Sequence, residues 1–256
     1  MKHCRKSHPG PECLDAHLAD QPEGNWNDFR NELWDCYCAV RDRLRDDQRG
    51  LCAYCEMDLS DDNRQIAHFH PKGDNASGHN WALDWANLWF ACKGGTQTWM
   101  QDEDKYLPTI SDNSSCDERK GGLILDGHIL APNEVPAYPR IFGYERGLDR
   151  LDIQPDEDAC ADAGLDPAKV RNTINKLNLN CKRLARARHK ELKGLEQAIA
   201  ILIESGVDDP RAVWQELVRR RFCGNDDRIW PRFFTLIRWR LGQSAEDYLR
   251  GIQFNG

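Results

Sequence analysis

The sequence predicts an α+β protein in which a cysteine-rich segment of short strands and turns lies between two helical regions. Apolar residues recur at spacings of three and four between about residues 25 and 48, which indicates an amphipathic helix. Paired cysteines, candidate strands and many turn residues follow. Helical spacing returns from about residue 167. We therefore divide the chain into an N-terminal arm and helix, a cysteine-rich module, a linker with short strands and a C-terminal helical region, at 1–50, 51–130, 131–166 and 167–256.

The pattern within these parts predicts individual elements. We expect an extended arm at the N-terminus and then one helix. In the module we expect two strand-forming segments, a helix or turn before Cys92 and a polar insertion loop. A first C-terminal helix is expected to run from Val170 through Leu184, and three more follow it. The predicted segments other than the long helices are an arm at 1–24, a strand at 65–69, a helix or turn at 86–91, a loop at 93–115, a strand–turn–strand at 123–130 and a strand pair at 141–153.

The bulk composition is that of a soluble globular protein. Of the 256 residues, 40 % are hydrophobic and 30 % are charged. No apolar run approaches the roughly 20 residues that span a bilayer, and the N-terminus has no apolar signal segment, so we expect a cytoplasmic protein that is not in a membrane. The formal net charge of −7 disfavours strong, autonomous binding to long nucleic acid.

Four of the eleven cysteines have the spacing of a metal site. Cys52 and Cys55 form a C-x-x-C pair, which brings two thiolates close enough to share one tetrahedral zinc ion. Cys92 and Cys116 are the other cysteines of the module and are expected to complete the site. The alternative, a thioredoxin-like redox pair, needs a strand before the motif, whereas here a helix and Gly50 precede it.

The remaining cysteines lack convincing ligand spacing, and we interpret them as small, mostly buried apolar residues. A partial second metal site at Cys36 and Cys38 is the less favoured alternative. The seven are Cys4, Cys13, Cys36, Cys38, Cys160, Cys181 and Cys223.

An ordered series of further residues accompanies the cysteines. It runs from 68 to 72 as His-Phe-His-Pro-Lys, from 84 to 88 as Asp-Trp-Ala-Asn-Leu, and from 116 to 121 as Cys-Asp-Glu-Arg-Lys-Gly. With its C-x-x-C frame, the series resembles the HNH endonuclease superfamily and its ββα-metal fold. It is more similar still to the HNH subunit of Septu anti-phage systems (PtuB-like), which also accompanies some retrons. The segment Leu177-Asn178-Leu179-Asn180 resembles part of the same family.

The resemblance implies metal-dependent hydrolysis of phosphodiester bonds in DNA or RNA, including tRNA. It assigns His68 as the general base, Asn87 as the residue that orients the base or ties down its loop, and Asp117 as a ligand of a catalytic Mg²⁺ or Mn²⁺. Lys72, Lys120 and Arg186 are candidate phosphate contacts, with a solvated surface charge as the alternative interpretation of each.

Ala67 departs from the family pattern, in which the residue before the base is usually a metal-binding Asp or Glu. Three explanations stay open. His70 replaces the missing ligand, since residues two apart on a strand share a face; the nuclease is weak or inactive; or position 67 carries a substitution that disables cleavage.

The resemblance also implies partners. Septu-like HNH proteins act beside an ABC/SMC-like ATPase, and retron-associated members beside a reverse transcriptase and its msDNA. The chain itself has no G-x-x-x-x-G-K-[ST] phosphate loop. The alternative function is that of a catalytically impaired, zinc-stabilised adaptor that binds the partner ATPase.

Overall fold

The computed structural model describes residues 1–96, 113–204, 209–223 and 229–256. Within these ranges the chain has the predicted α+β character, with helices around two small two-stranded antiparallel sheets. Most of the predicted insertion loop lies outside the described residues. The helices are α1 (Glu12–Asp20), α2 (Trp26–Glu32), α3 (Trp34–Asp47), α4 (Cys116–Lys120), α5 (Glu157–Asp162), α6 (Pro167–Lys176), α7 (Lys182–Glu204), α8 (Pro210–Phe222), α9 (Phe234–Leu241) and α10 (Gln243–Gly251). The strands are β1 (Gln65–His68), β2 (Leu88–Ala91), β3 (Phe142–Arg146) and β4 (Leu151–Pro155).

The N-terminal region differs from the predicted arm and single helix. The arm contains α1, and Met1, Lys2 and Cys4 before it are buried. The single helix is divided at Leu33, whose φ of −116° and ψ of 53° are not helical. Asn25 begins the first of the two helices, because its side chain accepts hydrogen bonds from two backbone N–H groups of the first turn.

A disulfide joins Cys13 of α1 to Cys36 of α3, with their Cα atoms 5.9 Å apart. The interpretation of Cys13 and Cys36 as small apolar side chains is therefore wrong, because they are bonded to each other, and so is the alternative of a partial metal site at Cys36 and Cys38. The sequence pattern did not indicate α1, and this helix brings Cys13 beside Cys36.

The first sheet pairs β1 with β2, and His68 lies opposite Leu88 in the register. The strand predicted at 65–69 is confirmed. The segment predicted as a helix or turn at 86–91 is a 3-10 turn, Trp85–Asn87, followed by β2. Asp84 caps the turn by accepting a hydrogen bond from Ala86 N. The four apolar residues of β2 that follow are all buried.

The predicted strand–turn–strand at 123–130 is wrong. The chain turns at Asp126-Gly127, but no ladder forms there. Leu125 O instead accepts hydrogen bonds from the N–H groups of His128 and Ile129, and Leu130 N donates to the Thr173 hydroxyl of α6 at 2.8 Å. The strand pair predicted at 141–153 is confirmed as β3 and β4.

The C-terminal helices are predicted correctly in kind but not in their bounds. The helix expected through Leu184 is interrupted between α6 and α7, where Asn178 has a φ of +48° that a helix does not allow. None of the described helices is both long and apolar enough to cross a membrane.

The largest hydrophobic cluster takes side chains from all four parts into which the sequence was divided. It includes Met1, Cys52, Phe142, Leu184 and Leu236. The four-part division remains a prediction, and the packing places the cysteine-rich module inside a core that the N-terminal and C-terminal segments help to build.

Candidate metal centre and adjoining cleft

The four module cysteines meet in the core. Their sulphurs all lie within 4.8 Å of one another, and the Sγ atoms of Cys55 and Cys92 and those of Cys92 and Cys116 are 3.7 Å apart. All four side chains are buried and none is in a disulfide. Sulphurs about 2.3 Å from a tetrahedral ion lie about 3.8 Å from one another, so these thiols can surround one metal ion.

Local backbone geometry brings the sulphurs together. Cys52 and Cys55 lie in a turn after α3, which Cys52 N closes by donating to Met57 O at 2.9 Å. Cys92 follows the last residue of β2, and its N–H donates to Cys52 Sγ at 3.3 Å. Cys116 begins α4 with a φ of +60°. Within the described ranges, these cysteines are the one set of three or more potential ligands that meets so closely.

A cleft of about 750 Å³ opens beside the cysteine site. Four of the predicted functional side chains line it: His68, Lys72, Asp117 and Lys120. The cleft lies between the end of β1, the residues that follow it, and α4. Arg186 is not among the lining residues, and its guanidinium is paired with Asp149 at 3.1 Å on an exposed surface.

His68 is held in one orientation. Its Nε2 lies 3.0 Å from Ala82 O, and because a carbonyl only accepts, Nε2 carries the proton and Nδ1 is left unprotonated. The Trp26 ring packs edge-on against the imidazole, with centroids 4.8 Å apart. Burial lowers the pKa of His68 to about 4, and the Lys72 and Lys120 charges act in the same direction. The imidazole is therefore neutral at pH 7.

Asn87 ties the loop after β1 to the start of β2. Its Oδ1 accepts from His70 N at 2.7 Å, and its Nδ2 donates to His70 O at 2.9 Å and to Trp81 O at 2.7 Å. The side chain is buried and contacts the backbone, not the His68 ring. Its geometry corresponds to loop attachment, one of the two roles that the resemblance implied.

Both ring nitrogens of His70 are engaged by carboxylates. Nδ1 lies 2.9 Å from Asp126 and Nε2 lies 2.8 Å from Asp74, while the ring stacks on Trp81. The imidazole thus joins two loops beside the cleft. In this arrangement neither nitrogen is free to bind a metal ion.

Asp117 faces the cleft from the first turn of α4. One carboxylate oxygen lies 3.4 Å from Lys120 Nζ, and the other accepts from Gln65 Nε2 at 3.3 Å. Burial raises the pKa of Asp117, while the Lys120 ammonium opposes that rise. Gln65 was not among the predicted site residues; it precedes the motif on β1, and only the folded chain brings it to Asp117.

Ala67 is completely buried opposite Trp89 in the first sheet. Strand alternation directs it away from the face that carries His68. The methyl group belongs to the same hydrophobic cluster as the four cysteines. A carboxylate at this position would be buried beside them.

No family model matches the chain. The chain is 38 % identical over 195 residues to the "Retron Ec83 putative HNH endonuclease" of Escherichia coli, and the match covers 68 % of this chain and 72 % of that protein. The chain belongs to the retron-associated HNH endonuclease family. The resemblance drawn from the cysteines and from the residues around His68, Asn87 and Asp117 is confirmed at the level of this family.

Proposed function

We propose that this protein is the metal-dependent HNH endonuclease subunit of an anti-phage defence complex and that it hydrolyses phosphodiester bonds of DNA or RNA, tRNA included. The observation that carries the proposal is the convergence of His68, Asp117, Lys72 and Lys120 on one cleft. The name of the Escherichia coli relative supports the same chemistry.

His68 has the properties of the general base. Its Nε2 is committed to Ala82 O, so the free Nδ1 is the atom that accepts a proton from the attacking water. A pKa of about 4 leaves the ring neutral but weakly basic. A bound phosphodiester brings negative charge close to the ring and raises its basicity toward the value that catalysis at neutral pH favours.

Asp117 is the carboxylate that would hold the catalytic divalent ion. Mg²⁺ is often bound through one or two carboxylates, with waters and substrate phosphate as its other ligands, so one carboxylate in an open cleft fits this ion. Such an ion would stabilise the charge that develops on the phosphate and the leaving oxygen. Lys72 and Lys120 line the same cleft and would bind the flanking phosphates.

The Cys52, Cys55, Cys92 and Cys116 site would hold a structural zinc ion. Four thiolates leave no open position for a substrate or water, which is typical of a structural and not a catalytic zinc. Its role would be to fix Cys116, and therefore the adjacent Asp117, beside Gln65 at the start of β1.

A cleavage assay tests the nuclease proposal. Plasmid DNA, RNA and tRNA are incubated with the protein and its partner in Mg²⁺ or Mn²⁺, with His68→Ala beside the wild type. Loss of the base should lower the rate by about 10²- to 10⁴-fold. His128→Ala, which removes an exposed histidine outside the cleft, should cut like the wild type. Equal rates for the wild type and His68→Ala would contradict the assigned base.

A second function, that of a zinc-stabilised adaptor for a partner ATPase, is favoured by one observation. Ala67 supplies no carboxylate, and the proposed substitute, His70, has both nitrogens on Asp74 and Asp126. If the protein is an adaptor, His68→Ala should leave phage defence unchanged. If it is a nuclease, His68→Ala should abolish defence while the complex still assembles. Absence of cleavage by both the wild type and Ala67→Glu, with the partner and across divalent ions, would favour the adaptor.

The partners belong to the same proposal. We expect an ABC/SMC-like ATPase of the Septu type and, in the retron setting that the relative's name indicates, a reverse transcriptase with its msDNA. We expect the complex in the cytoplasm. Co-purification with the products of neighbouring genes, followed by sequencing of the nucleic acid that is cut, identifies both the partner and the target.

A further inference from the structure

The segment that joins α6 to α7 lies against the chain that carries the fourth cysteine. Leu177 O accepts a hydrogen bond from Cys116 N at 2.9 Å. The Asn178 side chain donates to Ser114 O at 2.8 Å. The backbone around Cys116 is thus attached to residues of the C-terminal region, within the Leu177-Asn178-Leu179-Asn180 segment that the proposed cleavage chemistry does not use.

Arg183, in the first turn of α7, reaches the neighbours of two of the cysteines. Its Nη2 donates to Ser115 Oγ at 2.7 Å, and Ser115 Oγ lies 3.5 Å from Cys116 Sγ. On the other side it packs on Gly95, three residues after Cys92, where an added Cβ would lie 2.5 Å from Arg183 Nε. Arg183 therefore lies between the segment that follows Cys92 and the residue that precedes Cys116.

The guanidinium is placed where the metal centre needs positive charge. Four thiolates around Zn²⁺ carry a net charge of −2, and here their side chains are buried. A guanidinium stays protonated at any physiological pH, and charge attraction is strong where water is excluded. Arg183 Nε is buried and has no hydrogen-bond partner among the residues that the structure describes, so no hydrogen bond at that atom compensates for the burial of its charge.

We propose that Arg183 is the counter-charge of the zinc–thiolate centre, and that the 177–183 segment is the positioning element for Cys116 and the adjacent Asp117. The inference rests on the proposed zinc site. It makes the C-terminal helices part of the metal centre, although every ligand comes from the cysteine-rich module.

Zinc release from the purified full-length protein tests the counter-charge. Transfer to a colorimetric chelator is timed for the wild type, Arg183→Gln and Arg183→Lys. Loss of a group that supports metal ligands typically weakens metal binding by about 10- to 100-fold, and we expect release from Arg183→Gln to accelerate by that factor. Arg183→Lys keeps the charge and should release zinc more slowly than Arg183→Gln. Lys193→Gln, which removes an exposed cation from the same helix, is the matched control and should behave like the wild type.

Replacing the zinc with cobalt distinguishes the effect of the Arg183 charge from the effect of the contacts that hold Cys116 in place. The sulphur-to-cobalt charge-transfer band of the Co²⁺ protein should shift in Arg183→Gln, because removing a nearby cation changes the energy of the thiolate electrons. Asn178→Gly keeps the positive φ and removes the hydrogen bond to Ser114 O. It should accelerate release without shifting the band.

The zinc measurements distinguish failure of the proposed zinc site from failure of the counter-charge. A wild-type protein without zinc would overturn the zinc site itself. A wild type that holds zinc, together with Arg183→Gln releasing it within twofold of Lys193→Gln, would overturn the counter-charge. If Arg183→Gln does not fold, Arg183→Lys decides: a folded, zinc-loaded protein supports the inference, and an unfolded one overturns it.

Discussion

Single side chains decide how the cleft is ordered, and Asn87 is the clearest example. Its amide makes three buried hydrogen bonds to backbone atoms of His70 and Trp81. Two of these bonds are donated to carbonyl oxygens, so the position requires an N–H donor and not merely a polar atom. The loop after β1, which carries Lys72 and Asp74 to the cleft, depends on this amide.

The Asn87 amide gives a prediction at this scale. Asn87→Ala leaves buried backbone groups unpaired and should lower the free energy of unfolding by about 3 kcal/mol, at about 1 kcal/mol for each bond. Asn87→Asp has the same shape but turns a carboxylate oxygen toward two carbonyls, so it should destabilise at least as much at pH 7. Urea denaturation measures both. Asn75→Ala, at an exposed amide of the same loop, should be neutral, and a fully stable Asn87→Asp protein would contradict the assignment.

The sequence allowed some of these residues to be predicted and not others. His68, Asn87 and Asp117 belong to an ordered motif, and the resemblance of that motif to the HNH family is what proposed them. The Gln65–Asp117 hydrogen bond and the Trp26–His68 ring contact join residues that are remote along the chain. Neither contact follows a local period, and single-sequence reasoning has no signal for it.

At the scale of elements, the strands have a local sequence signal and the helix ends do not. The strands at 65–69 and 141–153 were predicted because apolar residues bounded by turns are a local signal. The break at Leu33 and the α6–α7 junction were not, because the apolar residues keep helical spacing through both positions and the pattern therefore carries no signal of a break. The polar composition of the N-terminal arm concealed α1, which buries only Leu14 fully.

The cross-link between α1 and α3 can be tested directly. The Cys13–Cys36 bond closes a loop of 23 residues, and a loop of that size should contribute about 3 kcal/mol to the free energy of unfolding. The Cys13→Ser, Cys36→Ser double variant should therefore be less stable than the oxidised wild type, as measured by urea denaturation. Cys223→Ser, at an exposed thiol, should leave stability unchanged.

Alkylation mass spectrometry shows whether the bond is present. The non-reduced wild type should carry two fewer modified thiols than the reduced protein. If all thiols react without reduction, the two cysteines are unbonded and the double variant should show no such loss of stability.

At the scale of the whole molecule, the candidate metal centre is part of the hydrophobic core. The four cysteines lie in the largest buried cluster together with residues from both ends of the chain. Glu56, directly after Cys55, accepts a hydrogen bond from Thr235 N at 2.9 Å, and its backbone O accepts from Phe233 N at 2.9 Å. Damage to the centre should therefore spread well beyond the cysteine-rich module.

Removal of the proposed zinc ion is the prediction that belongs to this scale. Structural zinc contributes about 10–16 kcal/mol in small zinc domains, against about 5–15 kcal/mol for the stability of a whole protein. Chelation, or Cys92→Ser, should therefore unfold the protein, with loss of helical circular dichroism in proportion to zinc lost by elemental analysis. Cys223→Ser should retain zinc. A metal-free protein with unchanged helicity would show that the four thiols are packed without a structural ion.

The hydrogen bond from Cys116 N to Leu177 O has a consequence for the order in which the protein is made. The ribosome delivers all four cysteines and Asp117 well before the segment that holds Cys116 in place. Until Leu177, Asn178 and Arg183 leave the exit tunnel, the nascent chain has its ligands but not their support. Chains that terminate early would then lack a fixed Asp117, and translation itself would delay the proposed nuclease activity until most of the chain has been synthesised.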